Sequence, residues 1–203
     1  MIAYLSAGVV LGLSAGLAPG PLLALVLSQT IRHGPKEGAK VAFAPLITDF
    51  PIMFVSTWLL ASFSNYNAVL AVVSIVGGIF LVYLAYESLR TDGVKVKMDG
   101  VAPKSILRGT IANALNPHPY LFWMTVGAST ILKGWAESVL LPVMFIGSFY
   151  VCLIGSKVLL AVLAGKSRQF LSGRAYIFIN RALGLAIFAF AIILFKDALS
   201  LLN

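Results

Sequence analysis

Long apolar blocks alternate along the chain with short polar breaks. Six blocks stand out: Ile2 to Leu27, Val41 to Phe63, Val69 to Leu89, Ile106 to Leu132, Val139 to Leu163 and Tyr176 to Phe195. Each can cross a hydrocarbon core about 30 Å thick, which takes about 20 helical residues. Lipid offers no water to unpaired backbone groups, so a spanning segment is either a helix or a strand of a closed barrel. Barrel strands alternate apolar and polar positions, and these blocks do not. The pattern predicts an all-α membrane protein of six transmembrane helices. The first block lacks the basic leader and small-residue cleavage pattern of a secretory signal, so it is read as a retained span.

Composition agrees: 60% of the 203 residues are hydrophobic and 11% charged, against roughly 25% charged in a soluble domain. The net charge of +8 would suggest nucleic acid in a soluble protein, but its placement points elsewhere. Arg32, Lys36 and Lys40 follow the first block; Arg90, Lys95, Lys97, Lys104 and Arg108 follow the third; Lys166, Arg168, Arg174 and Arg181 follow the fifth. The intervening connections hold only Lys133 and Lys196. Cytoplasmic loops are enriched in Lys and Arg, so the odd-numbered loops are expected in the cytoplasm and both termini outside, in a multi-pass protein of the inner, cytoplasmic membrane. Trp58 and Trp135 fall at the outer ends of their spans, the level that amphipathic rings prefer. The single cysteine, Cys152, lies within the fifth block, excludes a disulfide framework and is read as a packing residue.

The longest polar stretch, RTDGVKVKMDGVAPK, divides the chain near its middle. The expected organisation is one transmembrane domain over 1–203, with a first repeat at 1–90, a cytoplasmic linker at 91–104 and a second repeat at 105–203. A motif recurs in the first span of each half: Leu17-Ala18-Pro19-Gly20-Pro21-Leu22-Leu23 and Leu115-Asn116-Pro117-His118-Pro119-Tyr120-Leu121. With three spans per half, the second copy enters the membrane from the opposite side, which is the inverted-repeat construction of many secondary transporters. A chance coincidence of two proline pairs is the competing reading.

Proline inside a span removes a backbone donor and clashes with the preceding turn, so a Pro-x-Pro is expected to break helices 1 and 4. A break exposes the N-terminus of the second half-helix, whose free N–H groups and positive dipole end suit a carboxylate. Asn116 before Pro117 is the order of an N-cap followed by proline at the first helical position, and Asn113 lies one turn back. Simple kinks are the alternative. In the second span, Asp49 sits nine residues past Lys40, at a depth where a charge must be paired, hydrated or protonated, which makes it a functional-site candidate. With Thr48 it could instead cap a half-helix beginning near Pro51. Lys157 lies nine residues before Lys166 and so at comparable depth, either paired with Asp49 or snorkelling to the cytoplasmic surface.

Gly8, Gly12, Gly16 and Gly20 repeat every four residues, a face that lets another helix approach closely, and Gly77-Gly78 and Gly184 are expected to serve partner helices. Glu87, one turn before Arg90, reads as a local ion pair, and His33 as solvated. His118 is a lone imidazole with no second ligand at metal-binding spacing. No nucleophile and base, phosphate-binding loop or metal cluster is present, so no enzyme and no cofactor are expected.

The motif Ala18-Pro19-Gly20-Pro21, Gly34 and Gly38 in the basic loop, Asp49, and Asn116-Pro117 together resemble the lysine exporter family of amino-acid efflux proteins over essentially the whole chain. The resemblance implies export of a small amino acid or related zwitterion from the cytoplasm, driven by the proton gradient and without organic cofactor. Its partners are then that substrate, protons and the lipid bilayer, with a homo-oligomer left open. Ala44-Pro45 stands where members typically carry glycines, and Pro51 follows, so the shape of the site departs from the family pattern. The expected mechanism is alternating access by two inverted halves. Pro19, Gly20, Pro21, Thr48, Asp49, Asn113, Asn116, Pro117 and Pro119 are the expected substrate-binding residues, and Asp49 and Lys157 the proton-coupling or ion-pair residues. Export of an inorganic cation and a non-transporting scaffold subunit are the alternatives.

Overall fold

The computed structural model describes residues 1–62, 66–90, 104–166 and 174–202. Most of the central linker, with Lys95 and Lys97, lies outside the described residues, as do Arg168 and the side chains of Glu87 and Pro117. Among the described residues every regular element is helical.

The first apolar block is two helices, α1 (Ile2–Leu17) and α2 (Pro21–His33), bent by 60° at residues 18–20. A turn at Gly34, whose φ of 92° suits a residue without Cβ, leads to α3 (Pro35–Ala42) and α4 (Ala44–Ala61). Next come α5 (Tyr66–Leu89) and α6 (Ser105–Ala114), the latter interrupted before α7 (Pro117–Phe122). From α7 the chain continues through a π-helical turn (Trp123–Gly127) into α8 (Ala128–Glu137), then α9 (Leu140–Lys166) and α10 (Arg174–Leu202). Both proline motifs therefore interrupt a helix. Pro51 does not: α4 runs straight through it, so Thr48 and Asp49 cap no half-helix, and the Thr48 hydroxyl lies 3.3 Å from the Ala44 carbonyl one turn back.

Among the described residues, Pro35–Ala61 and Leu140–Lys166 are each long and apolar enough to cross a membrane, and α1 with α2 makes a third if it is one broken span. Large apolar side chains such as Phe50, Phe54, Trp58, Trp135 and Val151 cover the outside of the bundle, as expected where lipid is the solvent.

Three pairings organise the bundle. α1 lies along α9, α5 along α10, and α4 against α6, the π-helical turn and α8. The α1–α9 contact rests on small residues on both sides. A Cβ on Gly8 would meet Ser148 and the Phe145 carbonyl, one on Gly12 the Phe149 carbonyl and Cys152, and one on Gly16 Ser156 and the Leu153 carbonyl. Such seams let backbones approach, and van der Waals packing there replaces the hydrophobic drive absent in lipid. Gly20 is not on this seam. The break ends α1 at Leu17, and Gly20 becomes the extended residue before α2, with open space around it. At the far end of α2, the Ser105 hydroxyl donates to Glu37 Oε2 at 2.6 Å, tying the start of α6 to α3.

Two apolar clusters fill the interior. One is aromatic, with Phe80, Phe122, Trp123, Phe145 and Phe149. The other is aliphatic, with Leu22, Leu23, Val26, Val41 and Leu160 around α2, α3 and α9.

The seam makes a direct prediction. Gly12→Val drives side-chain atoms into the α9 backbone and should destabilise the detergent-solubilised protein by about 1–3 kcal/mol, read as a lowered Tm. Gly155→Ala, which meets open space on α9, should leave Tm unchanged.

Candidate functional site

The first break follows from the chemistry of proline. In a continuous helix the carbonyls of Ala15 and Leu17 would receive the amides of residues 19 and 21, and both are prolines without an N–H. α1 accordingly ends at Leu17, with the Ala18 amide closing the last turn onto the Ser14 carbonyl at 2.8 Å. The orphaned carbonyls of Ala15 and Gly16 are both taken by Lys157 of α9, whose Nζ donates to each at 3.0 Å. An ammonium here also faces the negative end of the α1 dipole. Lys157 is 3% exposed, so it does not snorkel to the surface.

Beyond the gap, Gly20 is extended (φ −155°, ψ 178°) and Pro21 opens α2. No side chain caps this end, so the first amides of α2, at Leu22 and Leu23, carry no local acceptor.

The second break is resolved differently. Asn116 caps α7, its Oδ1 accepting the His118 amide at 3.1 Å. The Ala114 carbonyl, which that amide would otherwise serve, accepts the Tyr120 hydroxyl at 2.9 Å. α7 therefore keeps its first free amide occupied, whereas α2 does not.

Asp49 on α4 is 4% exposed and is held from the side. Its Oδ1 accepts Asn113 Nδ2 at 2.8 Å and lies 3.1 Å from the Thr48 hydroxyl. Asn113 also donates to Thr48 Oγ1, at 2.6 Å. This triangle joins α4 to α6 and satisfies a buried polar group that would otherwise be costly. The bonds from Asn113 and Thr48 to the carboxyl both fall on Oδ1.

These groups converge on a cavity of about 220 Å³ where the two apolar clusters meet. Asp49, Asn113, Asn116, Lys157 and both proline motifs, through Pro19, Gly20, Pro21 and Pro119, line it. Thr48 is outside the wall and acts from behind Asp49. Pro117 opens α7, and nothing further is described of it. His118, which metal chemistry alone could not explain, lines the cavity with its ring edge-on to Phe80 and Tyr83 at 6.2 and 6.1 Å.

The expected ion pair is absent. Among the described residues, Lys40 and Glu37 at 2.6 Å form the ion pair seen, and Asp49 and Lys157 face one cavity without touching. The reason is local: the break creates two carbonyl acceptors at the end of α1, and Lys157 fills them. The aromatic part of the wall, Phe80, Phe122, Trp123 and Phe149, was missed by the sequence reading. Trp123 carried a usable signal, since it stands in mid-block rather than at the headgroup level where Trp58 and Trp135 fall. Among the described residues no group of three His, Cys, Asp or Glu side chains gathers as a metal site would require.

Lys157→Met keeps the length of the side chain and removes its donors. With the buried Gly16 carbonyl and the partly buried Ala15 carbonyl left without their donor, the protein should lose about 2 kcal/mol of stability, seen as a fall in Tm in detergent.

A family model described as LysE type translocator matches residues 13–197 of the chain. No curated protein and no solved structure matches it.

Proposed function

Because the chain belongs to the LysE type translocator family, a family of membrane transporters and not of enzymes, we propose that it is a secondary active exporter of a small amino acid or related zwitterion. The family and the apolar helices make it a multi-pass membrane protein whose partners are a small-molecule substrate and lipid. The finer reading rests on one observation. Two buried side chains of opposite charge, Asp49 and Lys157, line a single cavity beside a broken helix and do not neutralise each other.

A zwitterion completes that arrangement. Its ammonium sits against Asp49, on Oδ2, the oxygen that takes none of the bonds from Asn113 and Thr48. Its carboxylate meets the uncapped amides of Leu22 and Leu23, at the positive end of α2, with the Lys157 ammonium nearby. Each charged end of the substrate then replaces its hydration by fixed protein groups, which is what a midplane site must supply. Asp49, free of a permanent cation, can carry a proton in the empty site, release it to the cytoplasm when a substrate ammonium binds there, and take up another from outside once the substrate has left. That exchange couples export to the proton gradient.

Alternating access follows from the pairings. The first span of one half lies along the second span of the other, α1 with α9, and α4 with α6 to α8, while the third spans, α5 and α10, pair with each other. Exchange of the two halves by a two-fold axis in the membrane plane maps this pattern onto itself, which supports two inverted three-helix repeats of six spans. On this reading the basic loops and the linker face the cytoplasm, both termini lie outside, and the membrane is the cytoplasmic one. An inorganic cation would find one carboxylate in the cavity wall, Asp49, and, among the described residues, no second acidic side chain beside it there.

The test is transport in proteoliposomes. Asp49→Asn keeps the size of the side chain and its hydrogen-bonded neighbours but removes the charge, and should cut gradient-driven amino-acid export at least about tenfold, the loss expected for one charge-assisted contact. Unchanged gradient dependence in this variant would refute the coupling role.

A further inference from the structure

Trp123 poses a question that the helix breaks do not answer. It is fully buried at 0% exposure, yet its Nε1–H has no hydrogen-bond partner. An indole N–H taken out of water normally finds an acceptor, and an unpaired one in the lining of a cavity is a donor available to a bound molecule. The ring lines the same cavity as Asp49 and lies beside its carboxyl.

The position is built. Trp123 opens the π-helical turn Trp123–Gly127, a bulge of the kind that re-aims side chains at functional sites. Its ring folds back over Gly127, where a Cβ would collide with the indole. Phe122 and Phe149 meet it edge-on at 5.1 and 5.4 Å, and Tyr150 stacks on its other side at 6.0 Å. A side chain so tightly framed keeps its N–H in one direction, which is the requirement for reading an atom by geometry.

We propose that the Trp123 indole N–H is a specificity-determining donor that receives one oxygen of the substrate's carboxylate while the neighbouring ammonium rests on Asp49. This assignment rests on the zwitterion-export reading and goes further, because it fixes how far apart the two charged groups are. An N–H beside the ammonium site favours a carboxylate held close to the amine, so the site selects α-amino acids over isomers whose two charges are held far apart. The second carboxylate oxygen is left for the amides of α2.

The experiment compares 2-aminobutyrate with propylamine, the same molecule without its carboxylate, for binding to the detergent-purified full chain. In Trp123→Phe the ring and its packing are retained and the N–H is lost. Affinity for 2-aminobutyrate should fall at least about tenfold, the size expected for a lost donor to a charged acceptor, while affinity for propylamine stays within about twofold of the parent protein. An equal loss for both compounds would make the ring a mere wall of the cavity, and no loss for either would remove Trp123 from recognition; each overturns the assignment.

A second measurement leaves Trp123 in place. The other two tryptophans, Trp58 and Trp135, are exposed, so Trp58→Phe with Trp135→Phe isolates the Trp123 indole N–H signal in an NMR spectrum. That signal should move on adding 2-aminobutyrate and stay in place with propylamine; a signal that ignores both, or follows both alike, overturns the assignment even if Trp123→Phe fails to fold. Should the unaltered protein bind no amino acid at all, the export reading itself fails. A protein that binds 2-aminobutyrate equally well with and without the indole N–H refutes the Trp123 assignment alone.

Discussion

A carbonyl inside a membrane must be given a donor, and two prolines at the end of α1 take the natural ones away. The rest of the site is arranged around that deficit. The Ala15 and Gly16 carbonyls draw the Lys157 ammonium to the end of α1, and that engagement keeps Lys157 off Asp49. Asp49 in turn is held by Asn113 and Thr48, neutral donors that steady the carboxyl without cancelling its charge. The break after α1 thus holds Asp49 and Lys157 apart across a cavity. The same break leaves α2 with an uncapped positive end.

The bundle holds this arrangement in place with little help from hydrophobic drive, which is weak between helices in lipid. Its substitute is close backbone approach along the small-residue seam of α1 and α9, the helix that carries Lys157. The seam and the lysine lie on consecutive turns of α9, at Ser148, Cys152, Ser156 and Lys157, so the contact that packs α1 also sets the height at which Lys157 meets its broken end. On the opposite side, the Asn113–Asp49 bond joins α6 to α4 directly. In the reading proposed here each of these two contacts joins one half to the other, and movement between the halves would open and close the cavity.

How much of this the sequence discloses depends on how local the physics is. A Pro-x-Pro pair removes two amides within one turn, so both helix interruptions are legible at Pro19 and Pro117, whereas the single Pro51 leaves α4 continuous. The apolar blocks likewise announce helices, because their length against the thickness of a bilayer needs no partner to interpret. Partner choice is not local. Asp49 and Lys157 lie at equal distances from basic loops, which gives depth but not direction around the helix axis, and nothing in that spacing reveals that Lys157 will find two carbonyls first. Gly20 reads as the fourth member of a glycine stripe until the break removes it from α1. Trp123 is hidden for a related reason: its orientation is set by the π-helical turn and by Gly127, and a π-bulge leaves no clear pattern in the chain.

The central claim is that the two charges facing the cavity hold the two ends of one zwitterion. A high-resolution experimental structure of the protein with a bound small amino acid tests it most directly. The account predicts a ligand within the cavity, its ammonium within about 3 Å of Asp49 and its carboxylate at the first amides of α2, with the gap between Leu17 and Pro21 still open. A continuous helix through Pro19, or an amino acid bound elsewhere while Asp49 and Lys157 close on each other, would contradict it.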